Sequence, residues 1–182
     1  MDAVAVAVLC GWAVFWVGWL AASFGVKPGR VRWGRSAGVR VLFIVVLVVL
    51  LRLGAFRHAT VVRDPWLQGI GLALFVLGLA LAVWARVYIG RNWGMPMTRK
   101  ADPELVTSGP YRRVRHPIYS GIMLALLGTA LAVSLYWLVL LALLGGYFVY
   151  SAVTEERDMA ERFPDTYPAY KRSTRMLVPF VF

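Results

Sequence analysis

The sequence predicts an all-α integral membrane protein with about five transmembrane helices and a polar C-terminal subregion on the cytoplasmic side, and three observations carry that prediction. Apolar residues make up 60% of the chain and charged ones only 16%, whereas a soluble domain is about half apolar and about a quarter charged. Polar residues gather in connections, leaving apolar runs close to the ~20 residues that a span requires. The bases crowd into alternate connections, as the positive-inside rule demands of a multi-pass chain.

Taken in order, the spans fall at about 3–24, 38–56, 67–89, 119–134 and 136–153. The first is read as a retained helix, not a signal peptide. Asp2 precedes it and Lys27, Arg30, Arg32, Arg35 and Arg40 follow it, the reverse of a signal peptide's charge order. The third connection carries Arg91, Arg99, Lys100, Arg112, Arg113 and Arg115, while the second has only Arg52, Arg57 and Arg63 with Asp64. This bias places the N-terminus outside and the C-terminus in the cytoplasm. The last two spans meet at Ser134-Leu135-Tyr136 as a tight, uncharged hairpin. The chain divides into N-terminal transmembrane helices, 1–89, and a second region, 90–182, holding the last two spans and the tail. Gly71, Gly78 and Ala82, with Gly121, Ala125, Gly128 and Ala132, have the helical spacing of close-packed membrane helices.

Composition also excludes function classes. The net charge of +11 would suggest nucleic acid in a soluble protein. Here the bases flank spans, so membrane lipids are their partners and nucleic acid is not. Cys10 is the sole cysteine, and with two histidines it leaves too few ligands for structural zinc. No metal is assigned. P-loop, paired-His metal and Gly-x-Ser-x-Gly motifs are absent. Ala-, Val-, Gly- and Arg-rich usage points to a GC-rich bacterial genome, and hence to an inner membrane.

Two polar regions carry the chemistry. In the first, Gly109-Pro110 signals a turn. Pro117 suits the first helical position with His116 at or beside the cap, and Tyr119 and Gly121 lie in the opening turns. A helix N-terminus offers N–H groups and the positive dipole end to an anion, with Arg115 and His116 as added donors. Arg112, Arg113 and Arg115 serve equally well as headgroup anchors. In the second region the fifth helix continues past the bilayer, and Glu156, Met159, Ala160 and Phe163 share its buried face. Glu156 there needs a cation or donor, which Arg115 or a cationic or hydroxyl-rich ligand supplies. Glu155, Asp158 and Glu161 are read as a solvated face. Asp165 is read as the cap of a short helix carrying Tyr167 and Tyr170 on one side. Pro179 ends that region, and the last apolar residues return to the membrane surface.

The ordered set Gly-Pro-Tyr-x-x-x-Arg-His-Pro-x-Tyr-x-Gly, two apolar spans, Glu-Glu, then Phe-x-x-x-Tyr-x-x-Tyr-x-Arg and a late Pro resembles the isoprenylcysteine carboxyl methyltransferase family over about residues 86–182. The resemblance implies methyl transfer from S-adenosylmethionine to the carboxylate of a prenylated cysteine or lipid-like substrate, with no obligate protein partner. It places Arg115, His116, Pro117, Tyr119 and Gly121 in the cofactor pocket, Glu156 on the opposite wall, and Leu105 and Val106 against the adenine. It turns Arg172 toward the substrate carboxylate beside Tyr167 and Tyr170. The tail departs from the family's eukaryotic pattern at Ser173-Thr174-Arg175-Met176-Leu177-Val178-Pro179, so Arg175 rivals Arg172. A phospholipid amine acceptor, for which Glu156 would serve as base, stays open. So do an NADPH-dependent sterol-reductase-like protein and a non-catalytic membrane partner.

Overall fold

The computed structural model describes residues 3–24, 26, 29–31, 35–52, 61–94, 96–100 and 103–178. Five long helices follow the predicted spans: α1 Ala3–Ser23, α2 Arg35–Arg52, α3 Pro65–Ile89, α4 Pro117–Ala132 and α5 Trp137–Arg162, before a short α6 Tyr167–Ser173. Three described helices, Ala3–Ser23, Pro65–Asn92 and Trp137–Arg162, are long and apolar enough to cross a membrane. The expected fourth span is shorter: α4 has 16 residues, or about 24 Å. The α2 segment keeps Arg35, Arg40 and Arg52 within its 18 residues. The tail end of the second predicted span, Pro179 and the final apolar residues lie outside the described residues.

Helix ends follow local chemistry. Asp64 caps α3, its Oδ1 accepting from the N–H groups of Trp66 and Leu67, with Pro65 in the first turn. Gly90, at φ +56, ends that helix where a side chain would be strained. The α5 helix has no internal proline and continues past the end of its apolar span at residue 153, as expected. Phe163, the residue before Pro164, terminates it.

An antiparallel seam between α3 and α4 forms the core. A Cβ built on Gly78 would lie 2.4 Å from Ala125 N and 2.6 Å from Gly121 O, and one on Gly128 would lie 2.3 Å from Phe75 N. The expected small-residue packing holds at Gly71, Gly78, Gly121 and Gly128, with Ala82, Ala125 and Ala132 fully or nearly fully buried. Lipid tails are as apolar as leucine, so backbone proximity rather than the hydrophobic effect stabilises such a pair. The α1 helix docks through Trp12, whose Nε1 donates to Thr129 Oγ1 at 3.1 Å, and through an edge contact of its ring with Phe75.

Two fixings define the ends of the bundle. At one end Val62 N donates to Val133 O, tying the start of α3 to the α4–α5 hairpin. At the other, buried Arg86 donates to Ala22 O of α1 and to Gly90 O, with its guanidinium 4.6 Å over the Trp93 ring. Beside that end, β1 Gly29–Val31 pairs antiparallel with β2 Thr98–Lys100, setting Arg30 opposite Arg99. The first and third connections therefore meet at one end of the bundle.

Candidate active site

Gly109, at φ +58, opens a 3-10 turn over Gly109–Arg112 that buries Pro110 and Tyr111. The chain then extends through Val114, which bridges in parallel to Arg175. Arg115 N donates to Arg175 O at 2.8 Å and His116 N to Met176 O at 3.1 Å. These bonds dock the tail against the entry to α4. Pro117 takes the first helical position and His116 is the N-cap, as expected.

Glu156 sits at the centre of the site with its side chain 3% exposed. Its Oε1 accepts from Arg115 Nε at 2.6 Å and lies 3.6 Å from His116 Nε2. Lys171 Nζ of α6 lies 2.7 Å from Oε2. Arg115 also donates through NH1 to Thr174 O at 2.7 Å and to Lys171 O at 3.2 Å, which locks the tail over the ion pair. An unpaired charge at this depth would be costly, so Arg115, Lys171 and His116 together hold the Glu156 carboxylate in place.

Glu155 belongs to the same cluster. Its Oε1 accepts from Tyr119 OH at 2.7 Å and from Met97 N at 2.8 Å, and its Oε2 lies 3.5 Å from His116 Nδ1. Met97 is fully buried and holds φ +59, a left-handed conformation that a residue other than glycine adopts at a cost of about 1–3 kcal/mol. That backbone aims its N–H at Glu155. His116, Tyr119 and Phe148 stack with ring planes 4° and 7° apart, forming an aromatic column along the wall.

Burial pushes the phenols near this cluster upward. Tyr170 rises to about 12 because it is buried, while nearby Arg115 opposes the shift. Tyr111 is raised by burial and then by Tyr170, and Tyr167 by burial and then by the Glu156 charge. All three stay protonated at neutral pH, and two of them donate. Tyr170 OH donates to Tyr111 O at 2.7 Å, and Tyr111 OH to Ala85 O at 3.3 Å.

Of the predicted site residues, Arg115, His116, Tyr119 and Glu156 meet in this cluster, with buried Pro117 below them. Tyr167 is buried with its ring centroid 6.0 Å from that of Tyr170. Val106 packs on the apolar cluster that contains Ile118 and Leu177, and Leu105 is half-buried. Gly121 is not in the cluster: a Cβ there would meet Ala82 and Gly78 across the seam. Arg172 and Arg175 are both exposed.

Three readings of the α5 and α6 surfaces are corrected. Glu155 and Asp158 are not a solvated face. Glu155 is held as above, and Asp158 is buried with Arg162 Nε 3.1 Å away. Ala160, expected on the buried face, is exposed. The cap of α6 is Thr166 rather than Asp165, and no side-chain bond closes it. Met97 and Lys171 were missed altogether. Met97 had no sequence signal, whereas Lys171 could have been found as the third cation of a tail facing a buried carboxylate.

The sequence profile of the family described as phospholipid methyltransferase matches residues 66–166, more than half of the chain. A cobalt-zinc-cadmium resistance protein of Cupriavidus metallidurans is 36% identical over 144 residues, covering 77% of this chain and 61% of that protein. The methanethiol S-methyltransferase of a Pseudomonas species is 29% identical over 127 residues, 65% of this chain and 48% of its own. The protein-S-isoprenylcysteine O-methyltransferase of Schizosaccharomyces pombe is 30% identical over 118 residues, 63% of this chain and 50% of its own. The chain thus spans about half to three-fifths of the length of these relatives. The matched stretch includes the Arg-His-Pro entry to α4 and the paired glutamates of α5, and ends before Lys171 and Thr174 of the tail; the chain belongs to the phospholipid methyltransferase family.

Proposed function

We propose that the protein is a membrane-embedded methyltransferase that moves a methyl group from S-adenosylmethionine to a carboxylate on a prenylated or lipid-like molecule. The Arg115–Glu156 pair carries this reading: two opposite charges held nearly dry at the end of an apolar bundle, within a matched family stretch. The donor set suits the cofactor. Glu155 and Glu156 are acceptors for its amine and ribose hydroxyls, and the open N–H groups of the first α4 turn are donors for its carboxylate. His116 faces both carboxylates, with Nε2 3.6 Å from Glu156 and Nδ1 3.5 Å from Glu155. When bound, S-adenosylmethionine supplies an electrophilic methyl group.

The chain supplies placement and shelter. A carboxylate acceptor is already ionised near neutral pH and needs no base. It needs alignment and exclusion of water. The His116–Tyr119–Phe148 column provides an apolar wall on the bundle side. Exposed Arg172 stands on α6 to receive the carboxylate, with Tyr167 and Tyr170 between it and the core. We also take α2 and α4 as spans, giving five, with the N-terminus outside and the charged cluster on the cytoplasmic face of a bacterial inner membrane. The shared side of the first and third connections supports this topology.

A phospholipid amine is the second reading of the acceptor, favoured by the family description. One experiment separates the readings. Membranes carrying the protein receive methyl-labelled S-adenosylmethionine and extracted lipids, and the labelled product is identified by mass. A base-labile methyl ester is expected, and a base-stable methylamine would select the amine reading. Thermal stabilisation of the purified protein by NADPH but not S-adenosylmethionine would overturn both.

A further inference from the structure

If Glu156 meets a cationic group of the cofactor, as the proposed function requires, its two oxygens play different parts. Oε1 is committed to Arg115, whose side chain is 8% exposed and whose NH1 is also bonded to tail carbonyls. Oε2 faces Lys171, whose side chain is 53% exposed. The Lys171 ammonium lies 2.7 Å from Oε2 and is that oxygen's ion-pair partner. The Lys171 backbone is anchored through its carbonyl to Arg115, while its side chain is a flexible four-carbon stem with a strongly hydrated head.

We propose that Lys171 is the exchangeable partner of Glu156: a cationic ligand takes Oε2 from it, and the released ammonium joins Arg172 in holding the anionic group of the methyl acceptor. A half-exposed lysine loses little on leaving a carboxylate, because water takes its place around the ammonium. Glu156 is buried and loses a great deal if left with an uncompensated oxygen. The exchange therefore proceeds when another cation arrives. Once released, Lys171 stands next to Arg172 in sequence on a helix whose backbone has not moved. Cofactor and acceptor are then coupled, and an anionic acceptor binds better after the cofactor. An uncharged acceptor gains nothing.

The test uses the full chain in lipid nanodiscs and calorimetric binding of S-adenosylhomocysteine, which retains the cofactor's amine and ribose. The acceptor probes are N-acetyl-S-farnesylcysteine and its uncharged methyl ester. In the wild-type protein, S-adenosylhomocysteine should tighten the carboxylate probe about 5-fold or more and leave the ester unchanged. Lys171→Gln should bind S-adenosylhomocysteine about 2- to 5-fold more tightly, because its internal competitor is gone, and should lose the coupling. Lys171→Arg retains a cation and should retain the coupling. Equal or weaker cofactor binding in Lys171→Gln, or coupling that persists there, would overturn the proposal. If the wild-type protein itself fails to bind S-adenosylhomocysteine, the methyltransferase reading falls, and this role of Lys171 falls with it. The cofactor arm decides the competition whichever acceptor the enzyme uses.

Discussion

Substituting Gly78 by alanine tests whether the α3–α4 seam is the spine of this protein. The new Cβ would lie 2.4 Å from Ala125 N and 2.6 Å from Gly121 O, where ordinary contact begins at 3.4 Å. Both neighbours are backbone, so no rotamer change relieves the clash, and the helices must part by about 1 Å at that level. Such a gap forfeits about a quarter to a half of the dispersion attraction across it. Overpacking of this kind costs about 1–3 kcal/mol, against which alanine gains up to about 1 kcal/mol in helix propensity over glycine. With the full propensity gain, a net loss of up to about 2 kcal/mol follows, or up to about 8 °C in midpoint for a chain of this size, and the deficit against a clash-free alanine is about 1–3 kcal/mol. Gly146→Ala is the control, because no atom lies within 4 Å of a Cβ at that position on α5. It should match or slightly exceed the wild type in thermal unfolding in detergent. Equal midpoints for Gly78→Ala and Gly146→Ala would refute the claim that backbone contact stabilises the bundle.

Four further outcomes follow from the site. Glu156→Gln should weaken S-adenosylmethionine binding by about 1.5–3 kcal/mol, whereas Glu161→Gln on the exposed side of α5 should leave calorimetric affinity unchanged. Arg172→Ala and Arg172→Lys should both lose most turnover on a carboxylate acceptor while cofactor affinity holds, since lysine lacks the two-pronged contact; full activity in Arg172→Ala with loss in Arg175→Ala would reassign the tail. Tyr170 is raised to about 12 from an ordinary value near 10, so its contribution to stability is complete below about pH 10 and is lost as pH rises toward 12; Tyr170→Phe should flatten part of that alkaline loss in denaturant titrations. Cysteines placed at Ser36 and at exposed Ser173 should resist an impermeant reagent in intact cells, and one at Ala59 should react; labelling at Ser173 from outside would invert the topology.

The helices and their seam were legible because both rest on local pattern. Apolar length marks the helices, and Gly71, Gly78, Gly121 and Gly128 repeat at a spacing that puts small residues on one face. The Arg115–His116–Glu156 association was partly legible, since a carboxylate on a buried helix face requires a cation. The inward face of α5 was read correctly at Glu156 but not at Ala160, Glu155 and Asp158. Its buried and bonded positions are Phe148, Ala152, Glu155 and Glu156, a choice made by donors on other elements, Tyr119 and the left-handed Met97. No periodicity within α5 records those donors. The parallel bridge from Val114 to Arg175 was equally silent, because backbone pairing of two irregular segments leaves no side-chain pattern. Lys171 enters the site only through that docking.

The location of the charged cluster explains why one small bundle can bring together two ligands of opposite character. Arg86 clamps the ends of α1 and α3, and the β1–β2 pair joins the basic first and third connections at the same end. The tail folds back to close that end, with Arg115 bonded to the carbonyls of Lys171 and Thr174. Cations accumulate there in the basic connections and the tail, and the paired glutamates of α5 set anions among them. On the proposed function, a zwitterionic, water-soluble cofactor would find in those glutamates the anions it needs. A lipid-borne acceptor arriving along the apolar flanks of α1, α3 and α5 would bring its polar group to the same end, where bases meet anionic headgroups. Swapping the sign of the acceptor would set it against Arg172, Arg175 and a released Lys171. In the proposed methyl transfer, the arrangement of charge around Glu156 would therefore favour an anion as the acceptor.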